Sequence, residues 1–397
     1  MFDIDVIIPC YGPSSLINKG IASLVSQWHS EYIHVTLVND WSPHTDCDYQ
    51  DLIDQYKGVI DIRCIRTEKN VGQGLARQYG IDHTSHDYFM FMDEDDMIGN
   101  GLTISVFVGA VESANIKFNE DGMSYNIDEN GNPNQIDNPQ PVAVVSGPLF
   151  EFDDHHTRII ESTNHVWLNS KLYSRSFIEK HNIRFNEAQS RHAEDYYFTS
   201  CFFFCLDHDT EYKGIVLDNQ GIQYLWYPNE KSQSRIDPHY PYMLSGYTMD
   251  GSKNILKWMK DTENNKIDWT DDLEEEYRIR LLNMTIYSWF NLYSFIRHVA
   301  TTDYVPKLKY DWEILHYACD NLRKMLKADF NKYTYMEKLE EIFKVRNFSD
   351  CEKVDPWITF DDYIIYGCDE LDWNYDELLD CKTKYKFDGG GKRVWQD

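Results

Sequence analysis

Two alternating periodicities organise the first hundred residues of the chain. Short, continuous apolar runs rich in β-branched residues are typical of strands that are buried on both faces of a parallel sheet. Such runs occur at Asp5–Pro9, His34–Val38, Asp61–Ile65 and Asp87–Met92. Between them, apolar residues return at helical spacing at Ser15–Gln27, Tyr49–Tyr56 and Gly72–His83. This alternation predicts a doubly wound α/β sheet, in which ligands bind at the carboxyl ends of the strands.

Beyond Gly99 the pattern is more mixed. It predicts, in chain order, a helix at Leu102–Ile116, a polar loop or hairpin at Asn126–Pro141, a strand at Val142–Val145, a strand and a helix within Asn164–Asn182, a helix at His192–Leu206 and a strand at Leu217–Tyr227. After Tyr247 the apolar spacing becomes that of long amphipathic helices, as in Asp271–His298 and Asp311–Lys327. We therefore predict a domain at 1–245 with halves at 1–100 and 101–245, a helical region at 246–385 and a flexible tail at 386–397.

The charge and the cysteines of the chain indicate which partners and which cellular location to expect. The chain has 38 basic and 66 acidic residues, which gives a formal net charge of −28. Such a chain is not drawn to nucleic acid or an anionic membrane by its net charge, although a local basic face stays open. No apolar stretch approaches the roughly 18 residues of a membrane span. The nine cysteines are odd in number and contain no CxxC pair, which favours reduced thiols and a cytoplasmic location.

An acidic run follows the fourth predicted strand, as Phe91-Met92-Asp93-Glu94-Asp95-Asp96. In an extended segment the D-x-D spacing places the carboxylates of Asp93 and Asp95 on one side. Such hard oxygen ligands suit Mg²⁺ or Mn²⁺ bridging a diphosphate. A solvated acidic loop is the alternative in so acidic a chain. The position of the run, directly after a buried strand, favours the metal site.

Four short motifs stand in a particular order along the first hundred residues. They are Val6-Ile7-Ile8-Pro9-Cys10-Tyr11, Val38-Asn39-Asp40-Trp41-Ser42, Asn70-Val71-Gly72-Gln73-Gly74 with Ala76-Arg77, and Phe91-Met92-Asp93-Glu94-Asp95-Asp96. In this order and spacing the chain resembles family 2 glycosyltransferases, which have the GT-A fold, over roughly residues 3–240. The family usually has Asp-Asp-Gly-Ser where this chain has Asn-Asp-Trp-Ser, which leaves the nucleotide base open.

The resemblance implies a binding site for a nucleotide-sugar donor, with a UDP-sugar as the expected donor. Asp40 would accept a hydrogen bond from the base, and Pro9 and Tyr11 would line the same pocket. Gly72 would let the backbone approach the donor, and Arg77 would reach it from the following helix. The alternatives are a turn aspartate, an ordinary loop glycine and a solvated surface arginine.

A second acidic segment, His192-Ala193-Glu194-Asp195-Tyr196, resembles the acceptor-side segment of the family, in which an acidic pair opens a helix. The resemblance implies that Asp195 is the catalytic base, with Glu194 as the reserve candidate. An inverting transfer needs such a carboxylate to take the proton of the acceptor hydroxyl. Stabilisation of the positive end of the helix is the alternative role. In the loop further along, Arg235 or His239 is a candidate to contact the diphosphate or the metal, and a plain surface loop is the alternative.

Three functions follow as hypotheses. The first is an inverting, metal-dependent glycosyltransferase acting on a glycan, lipid-linked or small acceptor. The second is a phage-type DNA glycosyltransferase acting on a hydroxymethylated base, against which the net charge counts. The third is a non-catalytic nucleotide-sugar-binding protein on the same fold. The pattern leaves the donor sugar, the acceptor and the oligomeric state open.

Overall fold

The computed structural model describes residues 2–12, 14–43, 49–117, 126–152, 157–160, 167–191, 193–218, 224–226, 251–277, 280, 385–387 and 393–395. The chain forms two compact units. The first contains Met1–Ile236 and Asp261–Ile267, and the second contains Asp237–Lys260 and Asp268–Asp397. The first unit therefore includes the described part of the predicted domain at 1–245.

The first unit alternates strands and helices along most of its length. Its strands are β1 (Ile4–Cys10), β2 (Ile33–Asn39), β3 (Asp61–Arg66), β4 (Tyr88–Phe91), β5 (Met97–Ile98), β6 (Val142–Ser146), β7 (Leu149–Phe152), β8 (Thr157–Ile160), β9 (Lys171–Ser174), β10 (Lys213–Val216) and β11 (Tyr224–Trp226). Its helices of six or more described residues are α1 (Ser14–Val25), α2 (Gln50–Tyr56), α3 (Gln73–Asp82), α4 (Thr103–Ser113), α5 (Arg175–Lys180) and α6 (Glu194–His208). Every strand and helix predicted in the first hundred residues is confirmed, with shifts of one or two residues at the ends.

A mixed sheet of seven strands lies at the centre, in the order β10-β6-β9-β4-β1-β2-β3. β1 runs parallel to both β2 and β4, and β2 runs parallel to β3. β9 is antiparallel to its neighbours β4 and β6. Because the carboxyl ends of parallel strands meet at one edge, the residues that follow β1, β2 and β4 lie together there. Those residues belong to the loops that contain Tyr11, Asp40 and Asp93.

The continuous apolar runs form the interior of this sheet. Every residue of β1 is buried, as are all but one of β2. A buried parallel strand has side chains packed on both faces, which explains why these runs do not alternate with polar residues. Asp5 is the charged exception in β1, and it is bound by Arg175 and His86.

An aromatic cluster fixes α6 against the sheet. The ring of Phe198 stacks on Phe185, with centroids 4.5 Å apart, and meets Phe91 edge-on at 6.0 Å. Phe198 also lies 5.8 Å from the ring of Tyr173 in β9. Aromatic pairs of this kind bury large areas and add directional contact. Since Asp195 precedes Phe198 by three residues, nearly one helical turn, the same packing sets the position of that carboxylate.

The predicted strand at Leu217–Tyr227 is confirmed at Tyr224–Trp226, which forms β11. β10 ends before it and belongs to the central sheet, whereas β11 belongs to a smaller sheet in the order β5-β11-β7-β8. The two strands on either side of residues 217–223 thus belong to different sheets, which the local pattern does not distinguish. The polar segment at Asn126–Pro141 forms isolated bridges, including Ile127 with Pro133, as expected for a loop or hairpin.

The second unit is described in part. Residues 251–259 and 271–277 are helical, and the rings of Trp269 and Tyr277 lie 5.7 Å apart. Tyr385–Phe387 and Arg393–Trp395 pair as antiparallel strands where the sequence predicts a flexible tail. The predicted helix at Asp311–Lys327 lies outside the described residues. No helix in the described part of the chain is long and apolar enough to cross a membrane.

Candidate active site

The acidic run after β4 forms a turn and is not extended as predicted. The N–H of Asp96 donates to the carbonyl of Asp93 at 3.1 Å, which closes a β-turn through Glu94 and Asp95. The turn sends the side chains in different directions. Glu94 accepts hydrogen bonds of 3.0 Å from the N–H groups of Tyr11 and Gly12.

The outer acids of this turn are bound within the fold. The hydroxyl of buried Tyr224 donates to Asp96 at 2.7 Å and accepts the N–H of Asp93 at 3.1 Å. The carboxylate of Asp93 accepts from Arg77 at 2.6 Å and from the side-chain amide of Asn169 at 3.1 Å. Asp95 is half-buried at the tip of the turn. Within this run, Glu94 and Asp96 hold the loop in place. Asp93 and Asp95 place carboxylates at the edge of the sheet.

Arg77 connects the donor-side turn to the start of α6. It lies in α3 with 2% of its surface exposed, so the alternative of a solvated surface charge is wrong. One guanidinium nitrogen donates to Asp93 at 2.6 Å and another donates to Glu194 at 2.9 Å. Burial lowers the pKa of Arg77, but the two carboxylates outweigh it, and the net shift is upward. A planar guanidinium suits such a bridge because its donors are fixed in a fork.

Glu194 and Asp195 open α6 but face different surroundings. Glu194 is buried and accepts hydrogen bonds from Arg77 and from the side-chain amide of Gln73. Asp195 is half-buried, and one of its carboxylate oxygens accepts the N–H of Tyr196 at 2.7 Å. Burial and the neighbouring charge of Glu194 raise the pKa of Asp195 to about 7, against the lowering effect of Arg77. The pair thus consists of an ion-paired carboxylate and a carboxyl that titrates near neutrality.

Asp40 holds the loop that leads into α3. Its two carboxylate oxygens accept the N–H of Val71 at 2.7 Å and the N–H of Gly72 at 2.8 Å. Gly72 has a φ of 88°, which favours glycine. A Cβ atom there would lie 2.6 Å from the carbonyl oxygen of Ser190, so the loop packs directly on the segment before α6. Asp40 is used as a turn carboxylate, and its contact with a nucleotide base stays a prediction.

Exposed aromatic side chains surround the ends of β1 and β2. Tyr11 is 46% exposed and Trp41 is 48% exposed, whereas Pro9 is buried within β1. Trp41 has a φ of 56°, a left-handed conformation that a non-glycine residue adopts at some cost. The guanidinium of Arg66 lies 4.5 Å from the centre of its ring. This face offers flat aromatic surfaces, on which a base can stack, together with the positive charge of Arg66.

Residues 5–181 match the family model described as "Glycosyl transferase family 2". Over this segment, somewhat less than half of the chain, the protein is similar to family 2 glycosyltransferases. The minor teichoic acid biosynthesis protein GgaB of Bacillus subtilis is 31% identical over 103 residues, which cover 25% of this chain and 11% of GgaB. The poly(ribitol-phosphate) beta-glucosyltransferase of Bacillus spizizenii is 32% identical over 102 residues, which cover 24% of this chain and 15% of that protein. The chain therefore aligns with only a small part of the length of these relatives.

A solved structure shows the same fold as this chain. The crystal structure of S. aureus TarS 1–349 in complex with UDP matches with a TM-score of 0.53 and 13% sequence identity. The match covers 100% of this chain and 96% of that one. The architecture, a mixed sheet with flanking helices as in GT-A glycosyltransferases, is confirmed.

The acidic turn offers the type of ligand that suits a hard divalent cation. Asp93 and Asp95 present carboxylate oxygens, the ligands that Mg²⁺ and Mn²⁺ prefer. Both oxygens of Asp93 accept a hydrogen bond from Arg77 or Asn169, and each retains a second lone pair. The predicted contacts of Arg235 and His239 lie outside the described residues.

Three residues that hold the site were missed by sequence reasoning in these roles. Asn169 binds Asp93, and its side-chain oxygen is buried with no hydrogen-bond partner among the described residues. Tyr224 bridges the ends of the acidic turn, and Glu94 binds the loop after β1. Burial raises the pKa of Glu94 to about 6, although the two N–H groups oppose the shift. The apolar residues around Tyr224 predict that it packs in a core, but they do not predict the hydrogen bonds of its hydroxyl.

Proposed function

We propose that the protein is an inverting, metal-dependent glycosyltransferase that transfers a sugar from a UDP-sugar to an acceptor hydroxyl. The observation that carries the proposal is the bridge that Arg77 makes between Asp93 and Glu194. It joins the acidic turn of the donor side to the helix start that carries Asp195. Donor carboxylates and a base with a pKa near neutrality then lie at one edge of the sheet.

Asp195 is the general base of the proposed reaction. Its carboxylate removes the proton of the acceptor hydroxyl while the oxygen attacks the anomeric carbon and the bond to the diphosphate breaks. A base works best when its pKa lies close to the working pH, and the pKa of about 7 meets this condition. Glu194 acts as a positioning residue in this proposal, because its carboxylate is bound by Arg77 and Gln73.

The donor occupies the edge formed by the loops after β1, β2 and β4. Tyr11 and Trp41 supply the faces for the base, and Asp40 keeps the neighbouring loop in place. Asp93 and Asp95 would hold Mn²⁺ or Mg²⁺, which supplies positive charge to the leaving diphosphate. Support for UDP as the nucleotide comes from TarS, which is described in complex with UDP and with UDP-GlcNAc.

The acceptor is proposed to be a glycan or another small or lipid-linked hydroxyl compound. GgaB is named for teichoic acid biosynthesis, and the relative from Bacillus spizizenii is named for poly(ribitol-phosphate), so polyol-phosphate oligomers are the first acceptors to test. The location is proposed to be cytoplasmic. In support, Cys10, Cys201 and Cys205 are free thiols.

The test measures UDP release and product mass after incubating the full chain with Mn²⁺, a panel of UDP-sugars and three acceptor sets. The sets are polyol-phosphate oligomers, neutral oligosaccharides and DNA containing hydroxymethylated bases. We expect transfer to one of the first two, with the anomeric configuration inverted in the product. Asp195→Asn should lower the rate of transfer by about 10²–10⁴-fold. Glu211→Gln, which changes an exposed acid beyond the same helix, should retain the wild-type rate. Equal transfer by Asp195→Asn and the wild type would overturn the assignment of the base.

A further inference from the structure

The opposite edge of the central sheet carries a cluster of side chains that could hold a metal ion. Asp3 lies just before β1, His34 is in β2 and His86 lies just before β4. One potential ligand atom from each of these three residues lies within 4.8 Å of the others. Parallel strands place these positions at the amino ends of β1, β2 and β4. The Asp93 turn follows the other end of β4, so the cluster is separate from the donor site.

The sheet itself brings these groups to one place. Asp5 stands opposite His34 in the register of β1 and β2, and His34 stands opposite Asp61 in β3. Registered neighbours in a parallel sheet share a face, and Asp3 shares the face of Asp5 because side chains alternate along a strand. The ring of His86 stacks on the ring of His34, with centroids 4.2 Å apart and planes inclined by 24°.

Each histidine is oriented by a carboxylate on its Nδ1 atom. His34 Nδ1 lies 2.6 Å from Asp61, and His86 Nδ1 lies 2.8 Å from Asp5. Asp5 is itself held by the guanidinium of Arg175 at 3.2 Å. For His86 this arrangement leaves Nε2 as the available ligand atom, whereas Nε2 of His34 already faces the carboxylate of Asp3. Carboxylate–histidine pairs of this kind accompany histidines that bind metals.

We propose that Asp3, His34 and His86 bind a Zn²⁺-class cation, independently of the donor site. Two imidazole nitrogens and one carboxylate oxygen form a ligand set typical of Zn²⁺ with a fourth position left to water. The partial exposure of all three side chains gives water access to that position. His34 Nε2 already lies 2.8 Å from Asp3. Zinc at about 2.0–2.1 Å from its ligands holds them roughly 3.4 Å apart, so closing the site needs side-chain shifts of about 1 Å. It also needs the rings of His34 and His86 to rotate out of their stacked arrangement, because a bound ion lies in the plane of each imidazole.

The bound ion would tie together three strand ends that are far apart in sequence. A ligand that binds the folded state and not the unfolded state raises the melting temperature. The site is some 20 Å of strand away from the acidic turn, at about 3.3 Å per residue along β1. Occupancy is therefore expected to stabilise the fold and to leave nucleotide binding unchanged.

The experiment titrates ZnCl₂ into the chelator-treated full chain by calorimetry, with melting temperatures measured in parallel. The variants are His34→Gln and His86→Gln, and the control is His29→Gln, which removes another histidine paired with an acid, Glu31 at 2.9 Å. We expect a single site in the wild type and the control, weakened at least tenfold in either cluster variant. Zinc should raise the melting temperature only where the site is intact.

Two results would overturn the proposal. If all four proteins bind zinc alike, the ion is held elsewhere, for example by thiols. If zinc does not bind to the wild type, the cluster is a hydrogen-bonded surface patch. Manganese-dependent UDP binding is measured on the same samples, and its presence or absence reports on the proposed function separately. Unchanged melting temperatures without zinc would show that the variants fold.

Discussion

Replacing Asp195 with asparagine should separate catalysis from stability. The substitution keeps the shape of the side chain and removes its ability to take a proton. Loss of a positioned general base lowers a transfer rate by about 10²–10⁴-fold. If the acid serves only to stabilise the positive end of α6, the same change should leave transfer intact and weaken the helix by about 0.3–1 kcal/mol.

The raised pKa of Asp195 predicts instead that removing the carboxylate makes the protein more stable. Because the native state holds the proton more tightly than the unfolded state, the contribution of Asp195 is full below about pH 4 and is lost as the pH rises to about 7. A rise from 3.8 to about 7 corresponds to as much as about 4 kcal/mol, at about 1.4 kcal/mol per pH unit, and partial exposure reduces this figure. We expect Asp195→Asn to be about 2 kcal/mol more stable than the wild type at pH 8 and equal to it near pH 4.

Urea unfolding at both pH values, together with the transfer assay, tests this prediction. Asp209→Asn is the matched control of opposite sign, since Asp209 lies just after the other end of α6. Burial raises the pKa of Asp209, but its bonds to Lys180 and His181 outweigh that effect and lower it overall. Its stabilisation is present above its unfolded pKa and is lost as the pH falls, so removal destabilises the protein at pH 8. An Asp195→Asn variant that is both active and less stable at pH 8 would refute the reasoning.

Two further predictions concern the framework of the site. Gly72→Ala should lower the free energy of unfolding in urea by more than about 2 kcal/mol, because the substitution combines a positive φ with a clash against the backbone. Gly58 also has a positive φ, of 76°, but has open space around it, so Gly58→Ala should cost about 1 kcal/mol. Equal costs at the two positions would contradict the close packing of Gly72. Arg77→Lys should cost about 2–4 kcal/mol, because an ammonium group cannot span both buried carboxylates. The half-exposed pair of Arg184 should tolerate the same change within about 0.5 kcal/mol, and a loss as small at Arg77 would show that the bridge is not needed.

The first half of the fold could be predicted because its local signals agree with its topology. β1, β2 and β4 are continuous apolar runs, and that pattern is specific to strands buried on both faces. The sheet to which the strand at Tyr224 belongs could not be predicted in this way. The residues around Tyr224 resemble one strand, yet the chain leaves one sheet after Val216 and enters another at Tyr224, and that change depends on tertiary pairing alone.

The candidate site could be predicted only in part, because some of its contacts join residues that are far apart in the sequence. Asp93, Asp95 and Asp195 could be proposed because they stand in short motifs. The partner of Arg77, Glu194, lies 117 positions away, so the bridge between them appears only in the folded chain. Trp41 occupies a left-handed position where the family has glycine, and residue preference alone argues against that conformation.

The central claim is that the acidic turn binds a nucleotide diphosphate through a divalent cation. Calorimetric titration of UDP, with and without Mn²⁺, into the wild type and Asp95→Asn tests it most directly, with GDP as the comparison nucleotide. The account predicts binding of UDP that requires Mn²⁺ and that is lost in Asp95→Asn. Absence of binding by either diphosphate, or binding that is indifferent to both the metal and Asp95, would contradict it.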